Sequence, residues 1–335
     1  GDTGGGAPQG YGAAGYFTGD NQGYPMIVIA KQTVMDEGYL DFTVAHEFFH
    51  ALQGRTNRYD YDPYGPGAWY WEATANWVET EVYPGQSGNA GFLIGYTFFP
   101  HYPVNFFDYP DEGTLQEYHQ YGAFIFPQHL TEIEADAELI RSSWQDTSSE
   151  NDPMNVLSAY LEPWGTTIEE AWLHHIARMT VMDYNMGELY QEYLDYFSDD
   201  PTYPQSENRY AETVMQEGSM GWRRAPADTR PQRFGHNTII ARGLTESAMT
   251  FSVRGDEIGS EGNTAIFGAT VTKVRSGNVT YHPLEFDGNE GEITLTGIRS
   301  SDEYYLSIGA WSYFWDPDRV YSETYDYEYN IGPAE

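Results

Sequence analysis

Residues 46–50 read His-Glu-Phe-Phe-His, and this spacing constrains the local structure more than any other feature of the chain. Two imidazoles four residues apart lie on one face of a helix, one turn apart. On that face His46 and His50 can both reach one zinc ion, and Glu47 beside them can take a proton from a bound water. Spacings of three and four predict that one side of this helix packs on a core through Phe42, Ala45, Phe49 and Leu52.

A zinc site needs a third protein ligand, and the first candidate is Glu72 in a second predicted helix, 69–79. A Gly-, Pro- and Tyr-rich loop, 59–67, separates the two helices and lets them meet antiparallel. Glu79, two turns further on nearly the same face, is the competing ligand. Two histidines and one glutamate leave the fourth position open for water, as catalytic sites do. Thr56 stands where the longer H-E-x-x-H-x-x-G-x-x-H pattern requires a third histidine, which argues against that pattern.

The segment TVAHEFFHALQ, followed by WYWEATANWVE and by HQYGAFIFPQHL at 119–130, resembles secreted bacterial metalloproteases of the gluzincin type. The resemblance covers roughly residues 20–140. It implies a zincin-like fold, Zn2+ as the cofactor, and endopeptidase action on a protein or peptide substrate. The resemblance to thermolysin-like enzymes is looser. Those enzymes place an aspartate four residues after the glutamate ligand, where it holds a ligating histidine. Here Asn76 has that position, and its amide oxygen could still accept the imidazole N–H.

Gluzincins also use a Tyr or His from a helix beyond the ligands to stabilise the oxyanion of the transition state. The resemblance therefore points to Tyr121 or His119, with Tyr121 slightly favoured. Gly122 directly follows, and it would permit this helix to approach the active-site helix closely.

The elements predict an α+β chain of two domains. We expect residues 1–222 to form a mostly helical domain with a small N-terminal sheet, whose strand at 25–30 precedes the helix of the H-E-x-x-H residues. The resemblance implies that this domain is zincin-like and catalytic. Further helices are predicted at 114–136, 153–162, 167–182 and 186–197. Residues 223–335 form an all-β sandwich, because short alternating runs separated by turns replace the helical periodicity. Its seven predicted strands lie at 237–241, 248–253, 264–274, 279–286, 292–295, 304–308 and 321–327.

The formal net charge is −35, with the acids spread along the chain. Residues 1–222 carry 34 acids and 6 bases, net −28, and residues 223–335 carry 17 acids and 10 bases, net −7. Such a surface argues against nucleic-acid binding and predicts a saline habitat. Cysteine is absent, so only His and carboxylates can bind zinc. No apolar run approaches 18 residues, so no membrane span is expected.

We expect a secreted, monomeric zinc endopeptidase that begins at Gly1 because it was processed from a longer precursor. The C-terminal domain could contact substrate or the cell envelope through the aromatic cluster Trp311, Tyr313, Phe314 and Trp315. One alternative is a catalytically idle zinc-binding surface or adhesion protein, against which the presence of Glu47 argues. Another is a zinc aminopeptidase, but no G-x-M-E-N-like stretch is present to hold a free amine.

Overall fold

The structure is a computed structural model that describes residues 14–35, 37–85, 89–108, 115–198, 212–217, 220–314, 316, 318 and 321–334. Helices make up most of the chain before residue 199, and strands make up most of it after residue 211. The chain is therefore an α+β protein, as the sequence predicts. None of the described helices has the length and apolar character that crossing a bilayer requires.

The chain forms two compact units. The first contains Gly1–Tyr96, Asn105–Thr166 and Glu188–Phe197, and the second contains Thr97–Val104, Thr167–Gly187 and Ser198–Glu335. These limits differ from the predicted division at residue 222, because a short segment and one helical segment of the N-terminal half belong to the second unit.

The first unit opens with a small sheet. Strands β1 (Gly15–Gly19) and β2 (Pro25–Ile29) pair antiparallel. Helix α1 (Lys31–Met35) follows and leads into the 20-residue helix α2 (Glu37–Thr56), which carries the H-E-x-x-H residues. The predicted strand and the predicted helix of the H-E-x-x-H residues are both present. The prediction for Leu52 is wrong, because its side chain is 48% exposed and lies away from the core.

Helix α3 (Ala68–Val82) packs against α2. Two of its aromatic residues belong to the core: Trp69 and Tyr70 are fully buried, and the Tyr70 ring stacks on that of Trp144 at 5.5 Å. The remaining helices are α4 (Leu93–Thr97), α5 (Tyr118–Gly122), α6 (Ile125–His129), α7 (Ala137–Gln145), α8 (Pro153–Leu161), α9 (Ile168–Met179) and α10 (Gly187–Ser198).

The helix predicted at 114–136 is not continuous in the structure. A 3-10 turn (Leu115–Glu117), α5, α6 and a π-helical turn (Leu130–Glu134) follow one another; residue 114 is outside the described residues. Pro127 has no backbone N–H to donate to the preceding turn, and the N–H of Ala135 bonds the carbonyl of Leu130, five residues back. Single-sequence periodicity does not detect such breaks because the apolar pattern continues through them.

The second unit contains two five-stranded sheets. The strands are β3 (Glu212–Glu217), β4 (Met220–Arg224), β5 (Gly235–Arg242), β6 (Ala248–Gly255), β7 (Ile266–Arg275), β8 (Asn278–Pro283), β9 (Glu285–Asp287), β10 (Glu290–Thr296), β11 (Glu303–Trp311) and β12 (Tyr327–Pro333). One sheet has the order β4-β12-β6-β10-β9 and the other β3-β5-β11-β7-β8. Only the β3–β5 pair of these two sheets is parallel among the described strands.

Apolar side chains from both sheets, such as Phe251 and Leu306, belong to one buried cluster, which is the layer arrangement of a β-sandwich. Six of the seven predicted strands are found with shifted ends, and 279–286 is divided into β8 and β9. The strand predicted at 321–327 is wrong, because that segment is irregular up to residue 326 and the strand begins at Tyr327.

Helix α9 packs on β7 and β11 within the second unit. Glycines on both strands make room for it: a Cβ on Gly268 would lie 2.7 Å from a methyl carbon of Leu173, and one on Gly309 would lie 3.2 Å from Ile176. Helix α9 therefore belongs to the second unit although α8 and α10, before and after it in sequence, are helices of the first.

Candidate metal centre

Helices α2 and α3 bring three potential ligands together. The Nε2 atoms of His46 and His50 are 3.0 Å apart. The Oε2 atom of Glu72 lies 3.1 Å from the first and 3.4 Å from the second. Among the described residues this is the one group of three or more His, Asp or Glu side chains whose ligand atoms converge in this way. The three predicted ligands therefore lie together and buried.

The other nitrogen of each imidazole is held by a neighbour. Gln53 donates from its amide nitrogen to the carbonyl of Trp71, at 2.9 Å, so its amide oxygen faces His50. His50 donates its Nδ1–H to that oxygen at 2.6 Å. His46 places Nδ1 3.0 Å from Oε1 of Glu79, a carboxylate that accepts the N–H. These two bonds leave both Nε2 lone pairs directed at each other and at Glu72.

Two lone pairs and a carboxylate oxygen that face one point repel each other unless a cation lies between them. Zinc bound at about 2.0–2.1 Å in a tetrahedron would hold its ligand atoms about 3.3 Å apart, and the three observed separations are close to this value. The donor set and its spacing therefore fit a divalent metal. Tyr61 donates its hydroxyl at 2.5 Å to Oε1, the outer oxygen of Glu72, and leaves Oε2 for the metal.

The same geometry explains the shifted pKa values. Burial works to lower the pKa of His46, but hydrogen bonds with Glu72 and Glu79 outweigh it and raise the pKa well above its ordinary value. Burial works to raise the pKa of Glu72, but the electrostatic effect of His50 and hydrogen bonds with both histidines outweigh it and lower the pKa. A proton and a metal ion thus compete for the same centre.

Glu47 lies next to the ligands and is itself buried. Burial raises the pKa of its carboxyl, and the neighbouring histidines and a backbone hydrogen bond from Phe17 of β1 oppose the rise. A carboxylate with a raised pKa is a better proton acceptor near neutral pH than an exposed one.

Asn76 does not hold a ligating histidine. Its amide nitrogen donates to the carbonyl of Tyr121 at 3.1 Å, and its amide oxygen is buried without a hydrogen-bond partner among the described residues. Glu79 orients His46 instead. Glu79, the competing ligand, is therefore not one of the candidate ligands itself. It contacts Nδ1 of His46, whereas the candidate ligand atom of that imidazole is Nε2.

The two predicted oxyanion donors occupy different surroundings. The Tyr121 ring lies 6.3 Å from that of His46, centre to centre, and stacks on Phe92. The His119 ring is buried against Tyr96 and Phe106. Gly122 permits a close approach, but not to α2 as expected. A Cβ on Gly122 would lie 2.4 Å from the carbonyl oxygen of Phe92, which does not belong to α2.

Sequence reasoning missed Tyr61 and Gln53. Tyr61 belongs to the loop before α3, one Tyr among 29 in the chain, and nothing in its neighbours marks it. Gln53 follows His50 by three residues, so helix periodicity alone would have placed it on the ligand face.

The predicted aromatic cluster of the second unit is not a single surface. Trp311 is buried, while Tyr313 and Phe314 are exposed. Trp315 lies outside the described residues.

The fold and this centre define an α+β protein with a buried His-His-Glu cluster. Residues 10–334 match the model of a family of unknown function, DUF6055, and the chain belongs to that family. No curated protein matches the chain.

Two solved structures show weak similarity. The pre-peptidase C-terminal domain of a collagenase from Bacillus anthracis is 15% identical, covers 36% of this chain and 95% of its own, and has a TM-score of 0.21. A GH115 4-O-methyl-alpha-glucuronidase with specificity for decorated arabinogalactans is 10% identical, covers 63% and 33%, and has a TM-score of 0.22. At these scores neither bears on the function.

Proposed function

We propose that this chain is a zinc-dependent endopeptidase with His46, His50 and Glu72 as the metal ligands and Glu47 as the general base. The convergence of three ligand atoms within 3.0–3.4 Å of each other supports this proposal most directly. Glu47 is buried beside these three residues and has a raised pKa, which a site with only a structural role would not need.

A zinc ion held by these ligands would lower the pKa of a bound water and polarise the scissile carbonyl. Glu47 would accept a proton from the attacking water and later pass it to the leaving amine. Tyr121, whose ring lies near His46, is the better placed donor for the oxyanion that develops on the carbonyl. Glu79 and Gln53 would keep both imidazoles in the tautomer that leaves Nε2 free.

The deciding experiment measures the metal content of the purified chain together with casein cleavage, with and without a chelator. We expect about one zinc per chain and cleavage that stops on chelation and returns with added zinc. Glu47→Gln should keep the zinc and lose hydrolysis by at least about 10²–10⁴-fold, because only the proton acceptor changes. Glu138→Gln, an exposed carboxylate on α7, is the matched control and should retain full activity.

The results separate this proposal from a catalytically idle zinc protein. Zinc binding by the unmodified chain with no cleavage of casein or of a peptide library would favour the idle protein. Unchanged hydrolysis in Glu47→Gln would contradict the assigned base, and unchanged zinc affinity in Glu72→Ala would contradict the third ligand.

A further inference from the structure

Helix α2 exposes apolar side chains on the side away from the metal centre. Val44, Phe48 and Leu52 are 42%, 56% and 48% exposed, and their spacing of four residues places them in one row. We call these three residues the α2 stripe. Phe48 is two residues from each ligating histidine, which is about 200° around the helix, so the row lies opposite the ligands.

The α2 stripe is symmetric about its central residue. Val44 lies four residues before Phe48, and Leu52 lies four residues after it. Ala45 and Ala51, both half-buried, lie three residues before and after it. A helix with such a sequence presents the same apolar and small side chains when it is reversed, so it is complementary to an antiparallel copy of itself.

Opposite charges complete this symmetry. Asp41 lies seven residues before Phe48 and Arg55 seven residues after it, and both are exposed. Neither has an ion-pair partner within the described ranges. In an antiparallel pair with the two-fold axis at Phe48, Asp41 of each copy lies opposite Arg55 of the other.

We propose that two copies of this chain associate through antiparallel packing of their α2 helices, with Phe48 at the two-fold axis. Val44 then packs against Leu52 of the partner subunit, and Ala45 and Ala51 let the helix axes approach to about 8–10 Å. The residues face the partner at spacings of three and four, as in a coiled-coil seam. This pairing revises the sequence-based expectation of a monomer, and it does not depend on any hydrolytic activity.

The net charge of −35 opposes the association of two copies at low ionic strength. At about 0.3 M NaCl that long-range repulsion is largely screened, while charges in direct contact across the interface are screened less. One helix from each copy buries less area than a standard interface, so the dimer should form in the micromolar range and depend on salt.

Sedimentation velocity of the full chain from about 1 to 200 μM in 0.3 M NaCl tests the proposal. We expect a shift with concentration towards twice the 38.0 kDa of one chain. Phe48→Glu should remain a monomer throughout, because two carboxylates would meet at the axis. Val82→Glu replaces a similarly exposed apolar residue at the end of α3 and should dimerise like the unmodified chain.

Charge exchange identifies the register. Asp41→Arg alone and Arg55→Asp alone each place like charges opposite each other, so each should weaken the dimer about tenfold or more. The double variant Asp41→Arg/Arg55→Asp restores opposite charges and should recover most of the affinity. Zinc content and the melting temperature, measured in parallel, confirm that each variant is folded.

Three results would overturn the proposal. The first is an unmodified chain that stays at 38.0 kDa at every concentration and salt level, which leaves the α2 stripe for another partner. The second is a dimer that survives Phe48→Glu. The third is a double charge variant whose dimer is no tighter than the dimers of the two single variants, which would exclude the antiparallel register.

Discussion

Glu79 shows how a single residue can take over a role that the sequence assigns to another. It accepts the Nδ1–H of His46 from a position seven residues after Glu72, while Asn76, four residues after Glu72, bonds elsewhere. A carboxylate that accepts the N–H raises the basicity of the ligating nitrogen more than an amide does. The structure thus restores, through a different residue, the charged partner that the motif lacks.

We predict that Glu79→Ala weakens zinc binding about 10–100-fold, because His46 loses the partner that fixes its tautomer. Competition with a coloured chelator would measure the affinity. Asn76→Ala is the comparison and should leave the affinity unchanged. Equal losses in both variants would mean that they act through the packing of α3.

His236 is a buried imidazole in the second unit. It is 1% exposed in β5, and neither ring nitrogen has a hydrogen-bond partner among the described residues. Burial, together with the smaller effect of the nearby His101, lowers its pKa to about 3. A neutral imidazole is therefore tolerated there and a charged one is not.

We predict that acid unfolds the protein partly through His236. Its folded-state pKa is below the unfolded value of about 6.5, so the unfolded state binds the proton more tightly. Stability is fully present above pH 6.5 and is lost as the pH falls towards 3, by a maximum on the order of 4–5 kcal/mol. His236→Phe should lessen the drop in urea midpoint between pH 7 and 4. An unchanged drop would remove this residue as a cause.

Helix α2 has three sides with different surroundings. One side carries the ligands towards α3, a second carries Thr43, Glu47 and Gly54 towards β1, and the third is the exposed α2 stripe. Apolar residues on several sides blur the helical periodicity, which is why the sequence predicted a core position for Leu52. Position in the fold, rather than residue type, separates packing residues from surface residues here.

Two helical glycines should respond oppositely to the same substitution. In Gly122→Ala the new Cβ would lie 2.4 Å from the Phe92 carbonyl oxygen, so the variant should lose about 1–3 kcal/mol. In Gly54→Ala the nearest atom is 3.4 Å away, on Phe17, so better helix propensity should leave stability equal or up to about 1 kcal/mol higher. Urea unfolding would measure both, and equal effects would contradict the crowding seen at Gly122.

Charge is the dominant property of the chain. Of the net −35, residues 1–222 carry −28. Self-repulsion of this size destabilises the compact state, and dissolved salt screens it.

We predict that the melting temperature rises steeply with NaCl, because screening relieves the repulsion of the folded chain more than that of the expanded one. Differential scanning calorimetry from 0.05 to about 2 M NaCl would measure the rise. Sucrose at matched osmolality stabilises by exclusion and not by screening, so it serves as the control. A midpoint that is highest in low salt would contradict both the prediction and the saline habitat.

The local features could be predicted from the sequence: a helix with His46 and His50 one turn apart, a carboxylate on the next helix, and most of the β-strands. Each follows from short-range spacing, which helix and strand geometry translate directly into faces. Other contacts could be seen only in the folded chain: Glu79 and Gln53 hold the imidazoles, Tyr61 reaches Glu72, and α9 packs on the sheet of the second unit. Those contacts join residues that are distant in sequence or lie in irregular segments, and packing selects them from many chemically equivalent side chains.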